Sequence, residues 1–88
     1  MTNQEFLDKV KQLVANYTTE HSDVSDDTYA MVPDDVYIVW SCKTLQNNKA
    51  LASTIRLDGM YYEITYNGDK NEIYFDAYKK FENRKIEL

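Results

Sequence analysis

The sequence predicts an α+β domain: one N-terminal amphipathic helix packed on a four-stranded antiparallel β-meander, in the order α-β-β-β-β. Three observations predict it. Apolar residues recur at helical spacing between Phe6 and Tyr17. Four later runs carry strand-like sequence. The turn formers Gln46-Asn47-Asn48, Asp58-Gly59 and Asn67-Gly68-Asp69 separate those runs. Short connections between consecutive strands make a meander, and a helix with one apolar stripe covers its apolar face.

The helix is predicted from Thr2 to about Glu20. Phe6, Leu7, Val10, Leu13, Val14 and Tyr17 form its stripe. Thr2 and Glu5 fit a capping box, in which each side chain satisfies a backbone N–H at the helix start. Glu5 and Lys9 form a favourable i, i+4 pair. The β-branched pair Thr18-Thr19 and then His21 mark its end.

Residues 21–35 read as a solvated acidic loop with five aspartates and no base. Pro33 keeps Val32 out of the helical region. An EF-hand needs alternating ligands, a central glycine and a twelfth-position glutamate. None of this is present, so no metal is expected.

The first strand is Val36–Leu45. Its expected inward residues are Val36, Ile38, Trp40 and Cys42, with Tyr37, Val39, Ser41 and Lys43 outward. The second is Lys49–Leu57, with Leu51, Ser53, Ile55 and Leu57 inward and Ala50, Ala52, Thr54 and Arg56 outward. The third and fourth form the clearest hairpin. Met60, Tyr62, Ile64 and Tyr66 share the apolar face with Ile73, Phe75 and Ala77. Tyr61, Glu63 and Thr65 share the other with Glu72, Tyr74, Asp76 and Tyr78. The meander ends near Lys80. Residues 81–88 are a tail or a short fifth strand, with Ile86 and Leu88 on one side. The expected core joins Phe6, Val10, Leu13, Val14 and Tyr17 to Ile38, Trp40, Leu51, Ile55, Tyr62, Ile64, Ile73 and Phe75.

The 88 residues make a single domain. A chain of this size buries roughly 60–65% of its unfolded surface, enough for one core and little for a deep cleft. No apolar run approaches the roughly 20 residues of a membrane span. The start Met-Thr-Asn-Gln-Glu-Phe lacks the features of a secretory signal. One cysteine, Cys42, allows no internal disulfide and fits a reducing, intracellular setting. The net charge of −5 is uneven, with −6 on residues 1–35 and +1 on residues 36–88. That balance disfavours nucleic acid, leaving only Lys79-Lys80 and Arg84-Lys85 as a basic edge.

Each candidate site has a plainer reading beside it. Cys42 and His21 would need hydrogen-bond contact and a third orienting group for nucleophilic catalysis; an inert, inward cysteine weighs more. Trp40 is a candidate interface anchor, but on the inward face it reads as core. Glu63 and Asp76 lie on adjacent strands, but an open sheet face excludes no water, and solvated carboxylates near Lys43 or Arg56 weigh more than a catalytic pair. The only glycines, Gly59 and Gly68, are spent on turns, so no phosphate-binding loop exists. The turn at Gln46–Lys49 offers amides and a cation but reads as a plain turn. The outer face carries the most chemistry: Tyr37, Tyr61, Tyr74 and Tyr78, with Arg56 beside them and a shallow gap over Ala50, Ala52 and Thr54. Tyrosine supplies contact area with a polar tip and is enriched at interfaces. It is equally at home on an ordinary sheet surface.

The strings V-Y-I-V-W-S-C-K-T-L-Q-N-N-K-A-L and D-G-M-Y-Y-E-I-T-Y-N-G-D-K-N-E-I-Y-F-D-A-Y-K-K resemble a family of small phage and prophage proteins of Gram-positive bacteria, catalogued as a domain of unknown function. The likeness spans most of the chain and is strongest from Val36 to Lys80. It carries over no catalytic or binding residue. It implies a phage-encoded accessory protein in the host cytoplasm. The expectation is therefore a non-enzymatic protein without cofactor that binds a host protein through the tyrosine face, the acidic loop, or both. The alternatives are a small-ligand or nucleotide-binding protein, dimeric or not, and a self-associating homodimer.

Overall fold

The computed structural model describes residues 1–21 and 30–88. Helix α1 (Asn3–Glu20) is followed by a 3-10 turn (Pro33–Asp35) and the strands β1 (Val36–Thr44), β2 (Asn47–Thr54), β3 (Met60–Asn67) and β4 (Glu72–Lys79). The strands form one antiparallel sheet in the order β1-β2-β3-β4, which is the predicted architecture.

Thr2 caps α1. Its Oγ1 accepts the Glu5 N–H at 3.1 Å, and the Glu5 carboxylate accepts the Thr2 N–H at 2.8 Å. That backbone bond holds the Glu5 carboxyl below its ordinary value. At the other end, Thr18 and Thr19 donate to the Val14 and Ala15 carbonyls, competing with the backbone ladder. The His21 N–H donates to the Tyr17 carbonyl, and its ring stacks on Tyr17 at 3.9 Å. The helix lies mainly over β1 and β2. Phe6, Val10, Val14, Ala15 and Thr18 are buried there, while Leu7, Leu13 and Tyr17 are half-buried at the flanks.

The expected parity holds on β3 and β4 and fails on β2. Ala50 and Ala52 are fully buried beneath the helix, and Thr54 is buried with them. Leu51 is half-buried on the outer face, while Ile55 and Leu57 lie beyond the strand, exposed. Volume is the physical reason. The helix contributes Phe6, Val10 and Val14, and β3 contributes Tyr62, Ile64 and Tyr66. A close-packed interior leaves room for only small side chains on the strand directly under the helix.

The expected parity also fails halfway along β1. Ile38 pairs with Ala52, yet Trp40 pairs with Leu51. Val39 is therefore an extra, unpaired residue, a β-bulge, and the strand changes face across it. Val36 is buried and Ile38 half-buried on the helix side, as expected. Trp40 and Cys42 instead point outward and are exposed. Neither Trp40 nor Leu51 nor Ile55 belongs to the core.

The acidic-loop reading of residues 22–29 lies outside the described residues. The described end of that segment is packed: Met31 is buried, and its N–H donates to Thr19 Oγ1 at 3.1 Å. Beyond β4, residues 80–88 form no strand and are exposed throughout. Among the described residues, no helix is long and apolar enough to cross a membrane.

Candidate functional site: the outer sheet face

Paired residues in an antiparallel sheet share a face, so the register builds the outer surface row by row. Tyr37 pairs with Ser53 across β1 and β2, and Tyr61 with Tyr78 across β3 and β4. The next row is Trp40, Leu51, Glu63 and Asp76. The row after that is Cys42, Lys49, Thr65 and Tyr74. The helix covers the opposite face, so nothing among the described residues covers these rows.

Tyr37, Trp40, Tyr74 and Tyr78 are each about half exposed, at 49%, 43%, 49% and 52%. Tyr61 is half-buried between its neighbours, with the Lys80 ammonium 6.0 Å from its ring centroid. The Ser53 hydroxyl donates to the Met60 carbonyl at 2.8 Å. Glu63 stands opposite Asp76, and Lys49 offsets the like charges by pairing with Glu63 at 3.2 Å. The Tyr74 phenol donates to the Glu72 carboxylate at 2.5 Å, which pushes the Tyr74 pKa up.

The four predicted tyrosines therefore share one surface, with Tyr61 and Tyr78 directly opposed. Arg56 does not join them on a strand. β2 ends at Thr54, and Arg56 stands in the β2–β3 loop. There it lines a cavity of about 330 Å³ with Tyr37, Ser53, Tyr61 and Lys80. The gap expected over Ala50, Ala52 and Thr54 does not exist, because Leu51 and Ser53 occupy that side of β2.

The sequence reading missed Trp40, Leu51 and Cys42 as members of this face. The available signal was the run Val36-Tyr37-Ile38-Val39-Trp40, apolar at both parities and so compatible with a strand that switches face partway.

Other candidates do not assemble. Cys42 is on the outer face and His21 at the end of the helix layer, so no thiol–imidazole pair forms. Glu63 is paired with Lys49, not with Lys43 or Arg56. Of the turn amides, Asn48 is buried and bonds Asn3 at 3.3 Å, Asn47 accepts the Gly68 N–H, and Gln46 bonds Asp69. These bonds are internal to the protein, and the buried Asn48 Oδ1 is left without a partner. No group of three or more metal-ligating side chains occurs among the described residues. What the face offers is a broad, water-exposed aromatic surface with an ion pair at its centre.

No curated protein and no solved structure matches this chain. Residues 7–88, which include the whole sheet and its aromatic face, match a family of unknown function (DUF6275), and the chain belongs to that family.

Proposed function

We propose that the chain is a phage-encoded, non-enzymatic accessory protein that acts in the host cytoplasm by binding a host protein through its outer sheet face. The phage and host setting rests on the resemblance of the strings at Val36–Leu51 and Asp58–Lys80. The binding role rests on one observation: Tyr37, Trp40, Tyr61, Tyr74 and Tyr78 gather on the one sheet face that the helix leaves open. Tryptophan and tyrosine dominate the energetics of protein interfaces. A tryptophan held half-exposed by a bulge is a poor contributor to this core and a good anchor for a partner.

The test is affinity capture from host lysate with the native chain and with a Tyr37→Ala, Trp40→Ala, Tyr74→Ala variant. Loss of a specific captured protein from a variant of native circular dichroism supports the reading. Identical capture by both removes the face from it.

A second reading has its own observation. The 330 Å³ cavity beside Tyr37 and Tyr61 carries Arg56 and Lys80, a pairing of phenols and cations that suits a small anionic aromatic ligand such as a nucleotide. A thermal-shift screen with nucleotides discriminates, because a ligand specific to the folded state raises the midpoint.

A further inference from the structure

We propose that residues 81–88 form an exchanged arm, which adds as a strand to the open β4 edge of a second copy of this chain. The inference rests on surfaces separate from the aromatic face and does not depend on the binding role above.

The arm is the first observation. It continues directly from β4, follows no other element, and leaves Phe81 101%, Ile86 77% and Leu88 121% exposed. Its charged side chains pair only two residues apart, Glu82 with Arg84 and Lys85 with Glu87. That spacing belongs to an extended backbone, in which residues two apart share a face. Three bare apolar side chains on an extended segment call for a cover.

The acceptor is the second observation. The Lys80 N–H donates to the Gly59 carbonyl at 2.8 Å. Backbone groups alternate sides along a strand, so Tyr74, Asp76 and Tyr78 face β3. Ile73, Phe75 and Ala77 then present their N–H and C=O groups at the open edge. The other edge of the sheet is interrupted by the Val39 bulge, a common protection. β4 has neither bulge nor proline. On the helix side, the same Ile73 and Phe75 floor an open groove of about 480 Å³, walled by Leu13 and Tyr17, with Lys9 and Glu20 on its rim. An apolar floor and wall with no strand beyond them mark a sheet one strand short.

The occupant follows from the bare apolar side chains of the arm and from turn chemistry. To fill its own edge the arm would have to reverse immediately after β4. Residues 79–83 read Lys-Lys-Phe-Glu-Asn, without the glycine that tight hairpins favour. Continuing straight onto a neighbour needs no turn. Reciprocal exchange by a two-fold axis then covers both arms and both edges, the closed form of domain swapping.

Two variants isolate the pairing. Ala77→Pro removes an N–H that β3 does not use, and proline is tolerated on a strand edge that faces solvent. Ile86→Asp with Leu88→Asp alters only the arm and touches no core residue. Mass is read by light scattering across a concentration series, with circular dichroism to check the fold. The native chain is expected at twice its 10.4 kDa, and each variant at half the native mass. A native chain that stays at 10.4 kDa at the highest soluble concentration overturns the proposal. So does a dimer that survives the arm variant, which would place the interface elsewhere. A monomer whose arm amides resist hydrogen exchange also overturns it, by showing an internal fifth strand.

Discussion

Gly68 lies against the backbone of Gln46, so close that a Cβ on Gly68 would stand 2.2 Å from the Gln46 carbonyl oxygen. The β1–β2 and β3–β4 turns are joined there: the Gly68 N–H donates to Asn47 Oδ1 at 3.0 Å, and Gln46 bonds Asp69. The obstacle is backbone, which cannot swing aside. Gly68→Ala must separate the turns, and we expect it to cost about 1–3 kcal/mol, as overpacking does. The urea midpoint reads this directly. Gly59 has φ +72 and only ordinary contacts, so Gly59→Ala should cost about 1–2 kcal/mol from backbone strain alone. A Gly68→Ala protein as stable as the native one would show that the turns part freely.

The parity of β2 makes an unusual prediction, because the larger residue is the dispensable one. Ala52 is fully buried under α1, whereas Leu51 is on the outer face. Ala52→Leu should destabilise by about 1–3 kcal/mol through overpacking. Leu51→Ala should cost about 1 kcal/mol or less, in the range of surface changes. Chemical denaturation of both variants checks it, and the reverse order would put Leu51 beneath the helix.

The cap of α1 predicts acid behaviour. The Glu5 carboxyl is lowered from 4.5 by the Thr2 backbone hydrogen bond. A depressed acid contributes stability that is present above its unfolded value and lost as pH falls through the folded one. Glu5→Gln should therefore flatten the stability–pH curve below about 4.5. Thr2→Ala, which removes the N-cap acceptor, should cost about 1 kcal/mol at neutral pH. Helical ellipticity across an acid titration separates the two variants. Parallel acid limbs in the native and Glu5→Gln proteins would remove the box from the account.

At the alkaline end the relevant group is Tyr62. Burial raises its phenol above 10.0, against the opposing effect of a hydrogen bond with Thr18. The folded state here favours the neutral form, so its contribution is present below 10.0 and lost as pH rises through the folded value. Tyr62→Phe should be less stable at neutral pH by about 1 kcal/mol, for the lost hydrogen bond. It should then lose less than the native protein on alkaline titration. Denaturation midpoints on both sides of pH 10.0 test the crossing of the two curves.

The architecture was legible because local signals agreed with the tertiary outcome. Thr2 and Glu5 start the helix where the capping pattern says, and Asp58-Gly59 and Asn67-Gly68 divide the strands. Tyr62, Ile64 and Tyr66 alternate with polar neighbours, so their face was unambiguous. On β2 the same reasoning chose Leu51 and Ile55 for the interior because it weighed hydrophobicity without volume. Only the three-dimensional crowding of Phe6, Val10 and Val14 makes alanine the fitting residue there. The Val39 bulge was hidden for a different reason. Val36-Tyr37-Ile38-Val39-Trp40 is apolar at every position, and a run without alternation carries no record of a one-residue offset. The tyrosine half of the candidate face was therefore readable and the tryptophan half was not.

The placement of Trp40 also decides what the intrinsic fluorescence of this protein reports. It is the only indole in the chain, and it looks into solvent from the side of the sheet opposite the core. Its emission should already be red-shifted in the folded state and should move little on unfolding, leaving melting to be followed by ellipticity. Conversely, a blue shift at constant ellipticity would be a direct optical signal that something has settled on the aromatic face.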